Sequence, residues 1–167
     1  DAEVIRDNAL AVSGLLVNRL GGKSARPYQP AGYYAHLNFP QRKYSADDGD
    51  GQYRRGVYVH WQRQFLHPML KALDAPSREE CTARRPRSNT PLAALVLLND
   101  PSFVEAARVF AKRILTEADE SFDERLDFAF RHAVSRLPDD RERGLLKTLF
   151  QANQSKYSAN AEAAKQL

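Results

Sequence analysis

Apolar residues recur at three- to four-residue intervals through much of the chain, the spacing that lays one apolar face along an α-helix. Over residues 2–20 they are Ile5, Ala9, Val12, Leu16 and Leu20, followed by Gly21-Gly22. The pattern predicts an amphipathic helix ended by the glycines, which accept the left-handed backbone of a C-terminal cap. Residues 23–52 break the period. Three prolines, several tyrosines and the run Ser45-Ala46-Asp47-Asp48-Gly49-Asp50-Gly51 exclude a long helix and predict an irregular arm laid over the surface. Over 52–73 two periods compete. Val57, Val59 and Trp61 alternate as in a strand, whereas Val57, Trp61 and Phe65 continue to Met69 and Leu70 at helical spacing. The longer match favours a helix.

Start signals become frequent after residue 73. Ser77-Arg78-Glu79-Glu80 has the spacing of a capping box, in which the serine oxygen and the glutamate carboxylate satisfy each other's backbone N–H groups. Thr90-Pro91 and Asp100-Pro101 each place a capping side chain before a proline at the first helical position. The second of these leads into Phe103, Ala107, Phe110 and Ile114. Ser121 with Glu124 precedes Phe122, Leu126, Ala129, Ala133 and Leu137, and Asp139 with Glu142 precedes Leu145, Leu146, Leu149 and Phe150. Three amphipathic helices joined by short breaks predict an all-α fold, an irregular helical bundle with a long Pro/Gly/Tyr-rich N-terminal arm. The expected organisation is a single helical domain over 1–150. Residues 151–167 are expected to be a fraying or disordered tail, because Ala, Asn, Gln and Ser outnumber large apolar residues there.

Composition narrows the function classes. With 43% hydrophobic and 28% charged residues in 167, the chain is a folding sequence of ordinary balance. Its net charge of +4 comes mostly from arginine, is small for a phosphate-backbone binder, and is not gathered into long basic runs, so nucleic acid is not an expected partner. Cys81 is the single cysteine, which excludes an intrachain disulfide and any multi-cysteine zinc or haem motif. No apolar stretch reaches membrane-spanning length. His60, His67, Met69 and Cys81 lack a recognised ligand spacing, and Asp47, Asp48 and Asp50 fail the EF-hand pattern. His36 and His132 stand alone. No Ser-His-Asp order, HExxH, P-loop or dinucleotide fingerprint is present, so no catalytic residue, metal site or cofactor is assigned.

Two constellations remain as binding candidates. Arg78, Arg84, Arg85, Arg87 and Asn89 crowd the approach to the helix expected at Pro91. Guanidinium forks beside the free N–H groups of a helix N-terminus suit a carboxylate, sulfate or phosphate. The competing reading is internal pairing of these arginines with Asp74, Glu79 and Glu80, the commoner use of surface charge. Arg54 and Arg55 with Tyr53, Tyr58, His60 and Trp61 combine cations with aromatic faces. A saccharide could stack there, although such clusters more often pack in a core with their polar tips outward.

Three stretches carry a family resemblance: Asp1-Ala2-Glu3-Val4-Ile5-Arg6-Asp7-Asn8, then Gly21-Gly22-Lys23-Ser24 leading to Pro27-Tyr28-Gln29-Pro30, then residues 74–101 with Ser88-Asn89-Thr90-Pro91 and Asn99-Asp100-Pro101. Together they resemble the C-terminal half of a planctomycete-type domain family of unknown function, from residue 1 to about residue 150. The resemblance implies a large exported bacterial parent, facing the periplasm or the cell exterior, with a cytochrome c-like domain and a second uncharacterised domain. The family domain normally extends upstream of the Ile-Arg-Asp motif. It brings no residue roles. The leading expectation is a non-catalytic binding or interaction module that recognises an anionic ligand, an anionic polysaccharide or another domain of the parent chain. The alternative is part of a polysaccharide-acting enzyme whose site is shared with an upstream region.

Overall fold

The computed structural model describes residues 1–35, 43–62, 65–77, 79 and 81–165. Its helices are α1 (Ala2–Ser13), α2 (Pro68–Ala72), α3 (Pro91–Asn99), α4 (Pro101–Glu117), α5 (Phe122–Val134), α6 (Asp140–Ser158) and α7 (Ala161–Lys165). Among the described residues extended pairing is limited to isolated bridges, so the all-α class expected from the apolar period is the fold adopted. The chain divides into two compact units, Asp1–Ala111 and Lys112–Leu167, and the division falls inside α4.

In the first unit α1 is shorter than its apolar pattern. Gly14 takes the left-handed cap at φ 83° and its N–H closes on the carbonyl of Ala11. The chain then leaves the helix, and the Val17 N–H bonds the carbonyl of Tyr53 at 3.0 Å. The face that α1 buries is Ala2, Arg6, Leu10 and Ser13, one position on from the stripe of Ile5, Ala9 and Val12. Arg6 lies on this inner face because its guanidinium caps two carbonyls, of Arg54 and Gln52, that no helix or sheet satisfies.

Residues 52–73 do not form the expected helix. Among the described residues this stretch holds the end of the 3-10 turn Gly49–Tyr53, the 3-10 turn Gly56–Tyr58 and the short α2. The reason is non-local. Gly56 lies so close to α1 that a Cβ there would stand 2.8 Å from Glu3 Cα, and its N–H donates to the Asp7 carboxylate. The Tyr58 carbonyl and the His60 N–H pair with the backbone of Ala25 at 2.7 and 2.6 Å. These partners occupy the groups that a helix would need internally.

The same pairing changes the arm. Ala25, Pro27 and Tyr34 are buried, so this segment builds part of the interior and is not simply draped over the surface. Its backbone can go inside because it is satisfied there: Arg26 and Asp47 exchange bonds of 2.7 and 2.8 Å, and the Tyr44 hydroxyl donates to the Pro27 carbonyl. Asp47 therefore fixes the arm. The apolar core of the unit joins Ala2, Val59, Leu66, Met69, Leu70, Leu73 and Phe103, with Trp61, Ala93 and Val96 packed against it.

Four expected helix starts are present. Thr90 accepts from the Ala93 N–H ahead of α3, and α4 begins at Pro101 with Asp100 accepting from the Ser102 N–H. Ser121 caps α5, and Asp139 with Glu142 forms a reciprocal capping box on α6. Of the start expected at Ser77, Arg78 and the capping glutamate Glu80 lie outside the described residues; the Glu79 N–H reaches Ser77 Oγ at a long 3.5 Å, and residues 81–90 are irregular. In the second unit α5 and α6 are joined by Arg143, which bonds Asp123 at 3.0 Å and Asp127 at 2.7 Å, and by the rings of Phe122 and Phe150 at 5.2 Å. No helix among the described residues is long and apolar enough to cross a membrane.

Candidate functional site

Two sets of arginines in the first unit differ in burial and partners. Arg54 is 2% exposed. Its guanidinium donates to the carbonyls of Lys23, Arg19 and Gly21, and stacks 4.1 Å above the Tyr58 ring. Gly21 and Gly22 are both left-handed, at φ 68° and 84°, which curls the segment so that the carbonyls of residues 19, 21 and 23 converge on one cation. The Gly21 N–H closes the loop on the Tyr58 hydroxyl at 3.0 Å. Arg6, equally buried, bonds the Arg54 carbonyl at 2.6 Å. Burial lowers its pKa, opposed by the charges of Asp7 and Asp100.

Arg54, Arg55 and Trp61 consequently do not assemble as an exposed stacking platform. Arg54 is an internal crosslink whose stacking partner is Tyr58. Arg55 is half exposed and lies 3.4 Å from the Asp7 carboxylate. Trp61 is half-buried against the apolar core.

The second set is open. Arg84, Arg85 and Arg87, with Pro86 and Asp1, line a concavity of about 690 Å³. Arg85 is anchored by Glu3 at 2.7 Å, with Asp1 at 4.0 Å. The Arg87 side chain is 81% exposed, and it lies 4.0 Å from the Asp1 carboxylate. Arg84 is exposed and has no ion pair among the described residues. Asp74, an expected internal partner, is engaged elsewhere. From a left-handed backbone at φ 63° its carboxylate accepts from both the N–H and the hydroxyl of Ser88, at 2.6 and 2.7 Å. Those two bonds lower its pKa and pin the loop that carries the arginines. Asn89 is exposed beside the cap residue Thr90, outside the concavity's lining. Arg78, Glu80 and His36 lie outside the described residues.

The helix end adds less to this site than its sequence suggested. Pro91 has no N–H, Thr90 Oγ1 takes the N–H of Ala93, and the Thr90 carbonyl takes that of Ala94 at 3.3 Å. An anion held here would therefore rest chiefly on guanidinium forks. Arg84 and Arg87 supply donors in the geometry that matches a carboxylate, sulfate or phosphate, and Arg85 adds charge from a fixed position. Glu3, Asp1 and Arg6 were not singled out from the sequence. The available signal was Arg6 itself, four residues from both Ala2 and Leu10 and hence on one helical face with them.

Fold and site together define a class: an all-α fold braced by buried arginines, with an open arginine-lined concavity built from the loop ahead of an apolar helix. The chain belongs to the PSD1 family, the protein family of unknown function DUF1553, which it matches over residues 1–150. No curated protein and no solved structure is significantly similar to it.

Proposed function

We propose that this chain is a non-catalytic binding module of an exported multidomain bacterial protein, and that Arg84, Arg85 and Arg87 hold an anionic group of a glycan or of a partner domain. The observation that carries the reading is the placement of three guanidinium groups on one open concavity with only Arg85 closely neutralised. Uncompensated charge of one sign raises the local concentration of counter-charged ligand and gives it a fork to bind. The family resemblance supports residence in the periplasm or outside the cell. A cytochrome c-like domain of the same parent would be one partner for such a cationic face.

The test is calorimetric titration with sulfated and carboxylated oligosaccharides at low ionic strength. Saturable binding is expected, weakening with salt, and the double variant Arg84→Ala, Arg87→Ala is expected to lose at least about tenfold in affinity with its thermal midpoint unchanged. Failure of the wild-type chain to bind any member of the panel, or unchanged binding by the variant, overturns the assignment.

A further inference from the structure

Another concavity of the first unit shares no lining residue with that of Arg84, Arg85 and Arg87. It measures about 720 Å³, a size that small-molecule sites have, and its charged lining is Arg19, Lys23, Arg26 and Arg54 with Asp47 and Asp48. Its lining comes from two stretches of chain, 19–26 and 47–54. These are tied to each other. The Arg54 guanidinium holds the carbonyls of Arg19, Gly21 and Lys23. The Arg26 N–H donates to the Asp47 carboxylate at 2.7 Å, and the Asp47 N–H donates to the Arg26 carbonyl at 2.8 Å. Gly51 allows the close approach that this needs, since a Cβ there would stand 2.8 Å from the Asp47 Cβ.

The frame is fixed, yet most of its charged side chains are unspent. Among the described residues those of Arg19, Lys23, Arg26 and Asp48 make no hydrogen bond and no ion pair, and Asp47 has only its Oδ2 engaged. Cations and carboxylates that paired across the concavity would merely close the surface. Left unpaired on a rigid frame, both kinds of group are available to a ligand at little cost in ordering. Four cationic side chains against two carboxylates leave an excess of positive charge, so the ligand is a net anion. Carboxylate oxygens only accept, so the same ligand must also carry donors. A bare anion has none, and a zwitterionic amino acid has no net charge. A sugar bearing one carboxylate or phosphate group has both the charge and the hydroxyl donors.

We infer that this concavity binds an anionic sugar unit, its carboxylate or phosphate held by Arg19, Lys23 and Arg26 and its hydroxyls donating to Asp47 and Asp48. Arg54 is scaffold here, since its donors are spent on the 19–23 carbonyls. The site is separate from the one formed by Arg84, Arg85 and Arg87, and the two assignments stand or fall independently.

The experiment titrates glucuronate and glucose 6-phosphate, by calorimetry, into the whole chain carrying Arg84→Ala and Arg87→Ala, so that the other concavity takes no part. At least one of the two is expected to bind saturably, and at least about tenfold more tightly than glucose or its matching bare anion, acetate or inorganic phosphate. Whichever sugar binds more tightly shows whether the anion is a carboxylate or a phosphate. Adding Arg19→Gln and Lys23→Gln should weaken that sugar at least about tenfold with the thermal midpoint unchanged, because the fold uses the backbone of these residues and not their side chains. Adding Asp48→Ala instead should lower the preference for the sugar over its bare anion several-fold. Loss of charge alone would act on both anions alike and leave that ratio where it was. No saturable binding of either sugar, acetate or inorganic phosphate bound as tightly as the sugar (an adventitious ion only), or glycine bound in place of the sugar overturns the inference. So does indifference to the Arg19 and Lys23 substitutions or an unchanged preference in the Asp48 variant.

Discussion

The carbonyls of Arg19, Gly21 and Lys23 all accept from the guanidinium of Arg54, so one side chain supplies the donors that a glycine-rich turn lacks. Truncation would leave those acceptors inside without partners, and unsatisfied buried groups are more costly than the bond itself is stabilising. Arg54→Ala should therefore destabilise the chain by about 3 kcal/mol, read from urea denaturation. Arg54→Lys should recover little of it, because an ammonium cannot span carbonyls arranged for a planar fork. A loss below about 1 kcal/mol would show that the crosslink is not what holds the 19–23 segment. His67 makes the second residue-scale case. It is 2% exposed, and its Nε2–H donates to the Tyr28 carbonyl at 2.7 Å, so a second proton would have to go to Nδ1, which is buried without a hydrogen-bond partner. Burial lowers its pKa from 6.5 and Arg6 adds to this, while the Tyr28 carbonyl and Asp100 oppose it. The folded pKa lies below the unfolded one. Stability is thus intact above 6.5 and declines as pH falls through that value, because protons then favour the unfolded chain. The thermal midpoint should fall on going from about pH 7 to about pH 5, and His67→Gln, which keeps a donor but does not titrate, should flatten that fall. Parallel pH profiles for the two proteins would remove His67 as the cause.

At the scale of elements, the contact between α1 and the turn at Gly56 is the one least tolerant of added volume. A Cβ on residue 56 would meet the Glu3 Cα and carbonyl oxygen of the backbone at 2.8 and 2.9 Å and the Glu3 Cβ at 2.8 Å, none of which a side-chain rotation can move away. Gly56→Ala should cost about 2 kcal/mol, and should disturb amide resonances of α1 as well as of the turn. If chemical shifts change only within the turn, α1 is not held by this approach. The helix starts at Thr90, Asp100, Ser121 and Asp139 were legible because capping is local, a side chain and an N–H two or three residues apart. The segment from 81 to 90 is irregular, and it is tied back by the bonds between Ser88 and Asp74, fourteen residues apart. Residues 52–73 were misread for a non-local reason. Their apolar spacing is real, but the backbone of Tyr58 and His60 is claimed by Ala25 and that of Gly56 by Asp7, partners that no window of the sequence contains. In α1 the period was legible and its phase was not, because the buried face holds Arg6 and Ser13, polar residues that an apolar pattern leaves out.

For the whole molecule, arginine serves two opposite purposes. Arg6 and Arg54 replace core packing where an irregular arm passes through the interior, whereas Arg84 and Arg87 remain turned to solvent. The candidate site was legible as a cluster, since Arg84, Arg85 and Arg87 are adjacent in sequence and reach one concavity. Which arginine would be anchored was not, because Glu3 lies 82 residues from Arg85 along the chain. The most direct measurement of the central claim follows the arginine Nε–Hε resonances by NMR during titration with a sulfated oligosaccharide. Saturable shifts are expected at Arg84 and Arg87, with Arg6 and Arg54 unmoved and slow to exchange with solvent. Shifts confined to other arginines, such as Arg19 and Arg26, or no saturable shift at Arg84 and Arg87, would contradict it.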